Sequence, residues 1–420
     1  MRKFALDISP LKKYRELRLL FTSGMITRLG SAMTMVAMPF QMKILTNSYV
    51  AVGLMGIVQL VPLIIFGLYG GVLADSVDRK KMIIIAEASS LLMTVILFVN
   101  AILPHPHVIL LYFVGAAFAA LNGLAGPSLG AILPRIVAHE DMAASNALMG
   151  LRWQFGAILG PSIGGLIVST AGVATGYAID VVSYILSLIF MSLLRPVPPG
   201  AKSVPPSLKS LIDGLQYAIS RKDLLGTYLV DLSAMFFAMP TALFPFWADS
   251  LHARWALGLF YSAGTIGAMI TTLTSGWMKH YPHHGRAVMW AAIGWGASIS
   301  LAGTFNSLFM VLFFLMLAGA SDEVSALFRS LIWNQSIADE YRGRLGGIEL
   351  LSYSIGPLGG QMRSGTMAAW TNLRTSVVSG GLLCIGFVVL AASALPKFRN
   401  YDVRTNEFVL SKEKSAKDSQ

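Results

Sequence analysis

The feature that most constrains this chain is a succession of about twelve apolar stretches spread along its 420 residues. They fall at 19–42, 50–74, 82–102, 107–130, 143–170, 173–194, 224–248, 255–278, 286–304, 307–330, 345–369 and 374–395. A hydrocarbon core about 30 Å thick takes about 20 helical residues to cross. Inside it every backbone N–H and C=O must be paired internally, so stretches of this length are read as helices. Only 13% of the residues are charged, about half of the roughly 25% that a soluble domain carries. The expectation is an all-α membrane protein with short loops and no sizeable soluble domain.

The placement of charge sets the orientation. With the N-terminus inside, 25 of the 32 Lys and Arg fall on inner segments. Lys43, Arg254, Arg363 and Arg374 are assigned to the outer side, and Arg28, Arg152 and Arg329 lie within spans. Cytoplasmic loops carry such an excess of Lys and Arg, so both termini are expected in the cytoplasm. This also accounts for the net charge of +11 without a nucleic-acid partner. The basic start, Arg2 to Arg18, runs straight into the first span with no small-residue cleavage site; that span reads as retained. Cys384, inside an apolar run, is the only cysteine, so no intramolecular disulfide can form.

A Pro-rich segment divides the chain nearly in half. Pro196, Pro198, Pro199, Pro205 and Pro206 precede an amphipathic stretch at 208–220, read as a cytoplasmic linker ending in a short surface helix. The expected organisation is a six-helix bundle at 1–195, the linker at 196–222, a second six-helix bundle at 223–397 and a cytoplasmic tail at 398–420. The halves look like copies. Val137-Ala138-His139-Glu140 and Gly160-Pro161-Ser162-Ile163-Gly164-Gly165 return as Ile337-Ala338-Asp339-Glu340 and Gly356-Pro357-Leu358-Gly359-Gly360. Two blocks in one order, at nearly one offset, argue for duplication.

Charges within spans are costly, about 2.5–3.5 kcal/mol or more at the bilayer centre, and so need a partner or a water-filled cavity. Arg28 in span one and Asp231 in span seven are expected to serve a cavity. Asp180 in span six, Arg152 in span five and Glu349 in span eleven read as structural ion-pair partners between helices. Asp322 joins them as a candidate for substrate or proton coupling. A carboxylate can carry a proton; an arginine cannot give one up and can only attract an anion or neutralise a carboxylate. Three histidines, His280, His283 and His284, lie near Lys279 with no carboxylate or cysteine close in sequence, so they read as a solvated loop rather than a metal site. No metal or cofactor is expected. The chain has no complete phosphate-binding Gly-x-x-x-x-Gly-Lys-Ser/Thr loop, no His-Glu-x-x-His and no Gly-x-Ser-x-Gly, and no enzymatic role is read from it.

Two motifs carry a family resemblance. Gly71-Val72-Leu73-Ala74-Asp75-Ser76-Val77-Asp78-Arg79-Lys80-Lys81 resembles the signature between the second and third helices of the major facilitator superfamily. Gly71 would permit close helix approach, Asp75 would favour a helix N-terminus and Arg79 would close a charge network with it, forming a cytoplasmic gate. Asp78 replaces the family's second glycine. Gly156, Gly160, Pro161 and Gly164 in span five resemble the antiporter signature of drug-exporting members. A duplicated six-helix plan is that of the same superfamily.

Arg28 with Pro39-Phe40-Gln41, Asp180-Val181-Val182-Ser183-Tyr184, Pro245-Phe246-Trp247-Ala248-Asp249 and Gln335…Asp339-Glu340-x-Arg342-Gly343-Arg344 are similar to one branch. It is the branch of the enterobactin (siderophore) exporter and the macrolide efflux proteins. The resemblance implies a twelve-helix transporter in the bacterial inner membrane that works by alternating access on the proton gradient. Its expected partners are protons, the lipid bilayer and a small-molecule substrate. That substrate is a siderophore of the enterobactin type, with an amphipathic drug such as a macrolide as the alternative. A non-transporting membrane sensor or scaffold is the reading from a different class.

Overall fold

The computed structural model describes residues 7–76, 78–197, 216–337 and 339–411, and their side chains except at 68–76, 127–131 and 339–351. Most of the amphipathic stretch expected at 208–220 therefore lies outside the described residues; 216–220 is helical.

Twelve long helices follow one another among the described residues, and we number them in chain order. They are α1 (Arg15–Thr46), α2 (Tyr49–Ser76), α3 (Arg79–Ile102), α4 (Val108–Ile136), α5 (Met142–Ala171) and α6 (Val173–Ser192). The second six are α7 (Lys222–Ala238), α8 (Leu257–Leu273), α9 (His284–Thr304), α10 (Leu308–Ser336), α11 (Asp339–Trp370) and α12 (Leu373–Ala394). Among the described residues, ten spans are long and apolar enough to cross a membrane. The other two helices, α1 and α11, are each 32 residues long, about 48 Å at 1.5 Å per residue, and carry more charge. Large apolar side chains such as Ile109, Phe309 and Trp290 stand exposed on the helix surfaces, as lipid contact requires and water would not favour.

Local chemistry marks the helix ends. Asn47 takes a left-handed conformation after α1, a backbone that Asn tolerates. Gly172, with φ of 88°, joins α5 to α6; a side chain there would be strained. Asn100 and His107 close the turn after α3 through His107 N–H donating to Asn100 Oδ1 (2.8 Å) and Asn100 Nδ2 donating to the His107 carbonyl (3.2 Å). Asn372 caps α12 by accepting from Thr375 N–H (2.9 Å).

The seventh span is not the continuous helix that hydropathy suggests. α7 ends at Ala238, Met239 is extended, and after Pro240 a 3₁₀ turn (Thr241–Leu243) leads into a separate short helix (Phe244–Ser250). Proline lacks the N–H that would continue the ladder, so hydrophobicity persists across the break while the helix does not.

The chain forms two compact units: Met1–Pro205 with Phe244–Ser262, and Pro206–Leu243 with Ala263–Gln420. In the first, α1 packs on α5 and α6, α2 on α4, and α3 on α4 and α6. In the second, α7 packs on α11 and α12, and α9 on α10 and α12. The pairing is the same six helices later, as a duplicated sequence would produce. The second unit also holds the chain after α12. Phe398 and Tyr401 are buried, and a methyl group at Gly226 would lie 2.2 Å from Phe398 Cγ. Residues 398–401 are thus packed onto the helix ends.

Candidate functional site

Polar groups sit inside the apolar helices in two clusters, one per unit. In the first unit, Arg28 projects from α1 across α5. Its methylenes fill the space left by Gly156, where an added Cβ would lie 2.6 Å from Arg28 Cγ. Its guanidinium carbon lies 5.2 Å from the ring centroid of Trp153, within reach of the negative face of the indole. Among the described residues no carboxylate pairs with Arg28, and its Nε is buried without a hydrogen-bond partner. One turn towards the α5 N-terminus, Arg152 donates to the Leu20 carbonyl (2.9 Å) through space left by Gly24. It lies in electrostatic reach of Glu87 on α3, which accepts from Ser187 (2.8 Å).

Asp180 on α6 is fully buried. Hydroxyls hold it rather than a cation: Thr34 Oγ1 donates at 2.5 Å and Ser183 Oγ at 3.0 Å. Gly30 makes the room, since a Cβ there would meet Ser183 Oγ at 2.0 Å. A run of hydroxyl residues at helical spacing was the available signal, and hydropathy averaging conceals it.

In the second unit, Asp231 on α7 and Arg329 on α10 form a buried ion pair, their side chains 4% and 3% exposed. Ser352 on α11 donates to the other Asp231 oxygen (2.9 Å), so three helices converge on one carboxylate. Asp322, two turns before Arg329 on α10, lies in electrostatic reach of both, and Glu323 accepts from Thr272 on α8 (2.9 Å). The side chain of Glu349 lies outside the described residues.

Arg363 falls within the apolar stretch 345–369, although the charge assignment puts it on the outer side. It belongs to α11 rather than to an outer loop, donates to the Ser376 carbonyl of α12 (3.2 Å), and fills the space beside Gly380, 2.5 Å from a Cβ built there. The glycine of α12 is what lets an arginine enter the helix interface.

Of the expected gate, the side chains of Gly71 and Asp75 lie outside the described residues. Asp75 falls in the last turn of α2, and Asp78 instead caps α3, accepting from Lys81 N–H (3.2 Å). The family's glycine is here replaced by a residue well suited to an N-cap. Arg79 is buried and its N–H donates to the Val197 carbonyl (3.1 Å). Lys80 donates to the carbonyls of Ser192 (2.8 Å) and Leu194, a cation at the C-terminus of α6, where the helix dipole favours it.

The glycine motif of α5 has two faces. Gly156, Gly160 and Gly164 admit Arg28, Ala32 and Met33 of α1. Pro161 and Gly165 meet Gly258, with a Cβ at Gly165 only 2.1 Å from Gly258 N. Ser162 donates to Ser262 (2.8 Å). The same stretch, Phe244–Ser262, carries Asp249, which pairs with Lys43 of α1 and with Arg254 (2.6 Å). Sequence distance hides all of these contacts.

The histidine loop acquires a carboxylate from far along the chain: Asp402 reaches His283 Nδ1 at 3.2 Å. Arg404 and its backbone N–H hold the Asp402 carboxyl far below the ordinary carboxylate range. No cluster of three or more metal-ligating side chains occurs among the described residues.

The comparisons agree with this layout. The family described as transmembrane secretion effector matches residues 6–416. Enterobactin exporter EntS of Shigella flexneri is 28% identical over 392 residues, covering 93% of this chain and 94% of that protein. EntS of Escherichia coli O1:K1 is 28% identical over 397 residues, with the same coverage. Among solved structures, the nucleoside transporter NupG superposes with a TM-score of 0.71 at 14% identity, covering 92% of this chain and all of that one. A bacterial homolog of the human lysosomal transporter Spinster gives 0.72 at 14% identity, covering 91% and 97%. These structures establish the fold: an all-helical fold of the major facilitator type.

Proposed function

The chain belongs to the transmembrane secretion effector family of major facilitator transporters, and on that premise we propose that it exports a siderophore of the enterobactin type. It does so across the bacterial inner membrane, by alternating access on the proton gradient, with both termini cytoplasmic. The observation that carries the reading is the Asp231–Arg329 pair with Ser352 upon it. Asp231 is the proton acceptor. Arg329 cannot release its own proton, so protonation of Asp231 breaks the pair and leaves the arginine with Asp322 as the carboxylate in electrostatic reach. That is a two-state element to which a gradient can couple. Arg28, without a carboxylate partner among the described residues, attracts the anionic cargo. The siderophore itself is supported by the likeness to EntS across nearly the whole chain.

Asp231 and Arg329 belong to the second bundle (223–397) and Arg28 to the first (1–195), so cargo and proton are handled by different repeats. Asp75 and Arg79 gate the cytoplasmic side.

A drug-exporting reading draws on Phe236, Phe237 and Met239, which follow Asp231 at and just beyond the end of α7. Phe236 and Phe237 meet edge to face at 5.1 Å, and flexible Met beside aromatics suits an adaptable apolar wall. The deciding experiment measures enterobactin secretion and macrolide susceptibility in a deletion strain complemented with wild type or Asp231→Asn. Loss of secretion with unchanged susceptibility supports the siderophore. Raised susceptibility with normal secretion supports drug efflux. No flux of either would favour a sensor or scaffold.

A further inference from the structure

α5 exposes two different faces. Phe155, Leu159, Ile163 and Leu166 are exposed and recur at intervals of four, four and three, one apolar stripe along the helix. Trp153 is 53% exposed, but at 100° per residue it stands about 120° from that stripe. It shares its own face with Asn146 and Gly150, both exposed, and a Cβ at Gly150 would meet nothing within 4 Å. The second face is therefore polar, aromatic and open.

Arg28 comes to the same place from α1. It stacks over Trp153, its Nε is buried and unpartnered, and no carboxylate pairs with it among the described residues. A positive charge kept in a span without a counter-ion is expensive and is characteristic of functional sites. Glycine at 156 lets the arginine lie flat against α5 and bring its guanidinium to the indole. Arg152 and Arg363 donate to backbone carbonyls of neighbouring helices; Arg28 makes no such bond among the described residues and is held by an aromatic ring, with open space one turn away at Gly150.

We propose that Trp153 and Arg28 form a substrate subsite that takes an aromatic ring bearing an anionic substituent. The ring stacks on the indole of Trp153 and the anion pairs with the guanidinium. The exposed stripe of Phe155 and Leu159 faces lipid and takes no part. The proposal rests on the export reading, in which Arg28 meets the cargo, and it adds Trp153 as the residue that makes an aromatic cargo preferred over an aliphatic one.

The test uses full-length protein in nanodiscs and two probe acids, benzoate and cyclohexanecarboxylate, which share the carboxylate and differ in the aromaticity of the ring. Wild type is expected to bind the aromatic acid at least tenfold more tightly. Trp153→Phe keeps affinity within about threefold. Trp153→Leu weakens aromatic binding by roughly three- to tenfold, the range of a lost aromatic pair, and leaves cyclohexanecarboxylate unchanged. Phe155→Leu, on the lipid stripe, controls for general damage and binds as wild type. Equal binding of both acids by wild type overturns the proposal. So does binding of neither, or a Trp153→Leu protein that binds the aromatic acid as wild type does. Enterobactin flux in proteoliposomes is measured separately. If wild type moves no enterobactin but the benzoate pattern holds, the siderophore reading fails and the aromatic-anion subsite stands.

Discussion

Replacing Asp231 by Asn should be among the most damaging conservative substitutions in the second unit, and the structure says by how much. The amide is the size of the carboxyl and can still accept from Ser352, so packing is nearly unchanged. What is lost is the counter-charge of Arg329, whose side chain is only 3% exposed. Breaking one side of a buried pair costs about 3–5 kcal/mol, because the remaining charge stays buried and unpaired. The reverse change, Arg329→Gln, should cost less, because an isolated Asp231 can take up a proton whereas an isolated arginine cannot lose one. The double variant Asp231→Asn/Arg329→Gln removes both members of the pair, and the remaining Asp322 can be neutralised by a proton. The double variant should recover roughly 2–4 kcal/mol relative to the sum of the single changes, well beyond the ~0.5 kcal/mol scatter of independent sites. Unfolding by SDS titration in mixed micelles measures all four proteins. Additive single changes would refute the ion pair as the dominant interaction of both residues. Asp231→Asn as mild as a surface substitution would refute its burial. If the double variant is stable yet moves substrate without dependence on a pH gradient, the coupling role of Asp231 stands apart from its structural one.

Other outcomes follow from single contacts. Gly165→Ala places a methyl 2.1 Å from Gly258 N, backbone that cannot yield, and should destabilise by about 1–3 kcal/mol; an undiminished thermal midpoint and normal transport would contradict the close approach. Lys43→Glu should reduce transport and Lys43→Asp/Asp249→Lys should restore it in part, assayed in everted vesicles; failure of the exchange to rescue would mean that the pair is incidental. Phe398→Ala removes a fully buried ring and should cost about 3–5 kcal/mol, read as faster proteolysis of the chain after α12. At the N-terminal end, Lys13 first, and then Tyr14, hold the Asp141 carboxyl below its ordinary value of 3.8. A lowered carboxyl contributes stability above its unfolded value and loses it as pH falls through the folded one. Between neutral pH and pH 3, wild type should therefore lose more thermal stability than Asp141→Asn, and equal losses would count against the contact.

Much of this protein is set by chemistry that acts over one turn or one span. Runs of about 20 apolar residues must become helices in lipid, because no other local arrangement pairs the backbone, so hydropathy finds the helices, though it misses several ends by five or six residues and does not see the break in the seventh span. The duplicated blocks around Gly160 and Gly356 anticipate that α1 on α5 and α6 is echoed by α7 on α11 and α12. The glycine spacing at 156, 160 and 164 already describes a face that another helix can approach.

The partners on those faces are another matter. Asp231 and Arg329 stand 98 positions apart. Nothing local distinguishes their pairing from a pairing of Asp231 with Arg363, which also lies within a span. Asp180 reads as half of an ion pair until Thr34 and Ser183 are seen to fill its coordination. Asp249 finds Lys43, and Asp402 finds His283, only after helices distant in sequence are packed. The sequence by itself determined that this chain spans a membrane as two similar sets of helices, because the cost of an unpaired backbone in hydrocarbon is paid residue by residue. Only the tertiary structure decided which buried charge meets which. That energy depends on distances of a few ångströms between helices, and a linear pattern does not encode them.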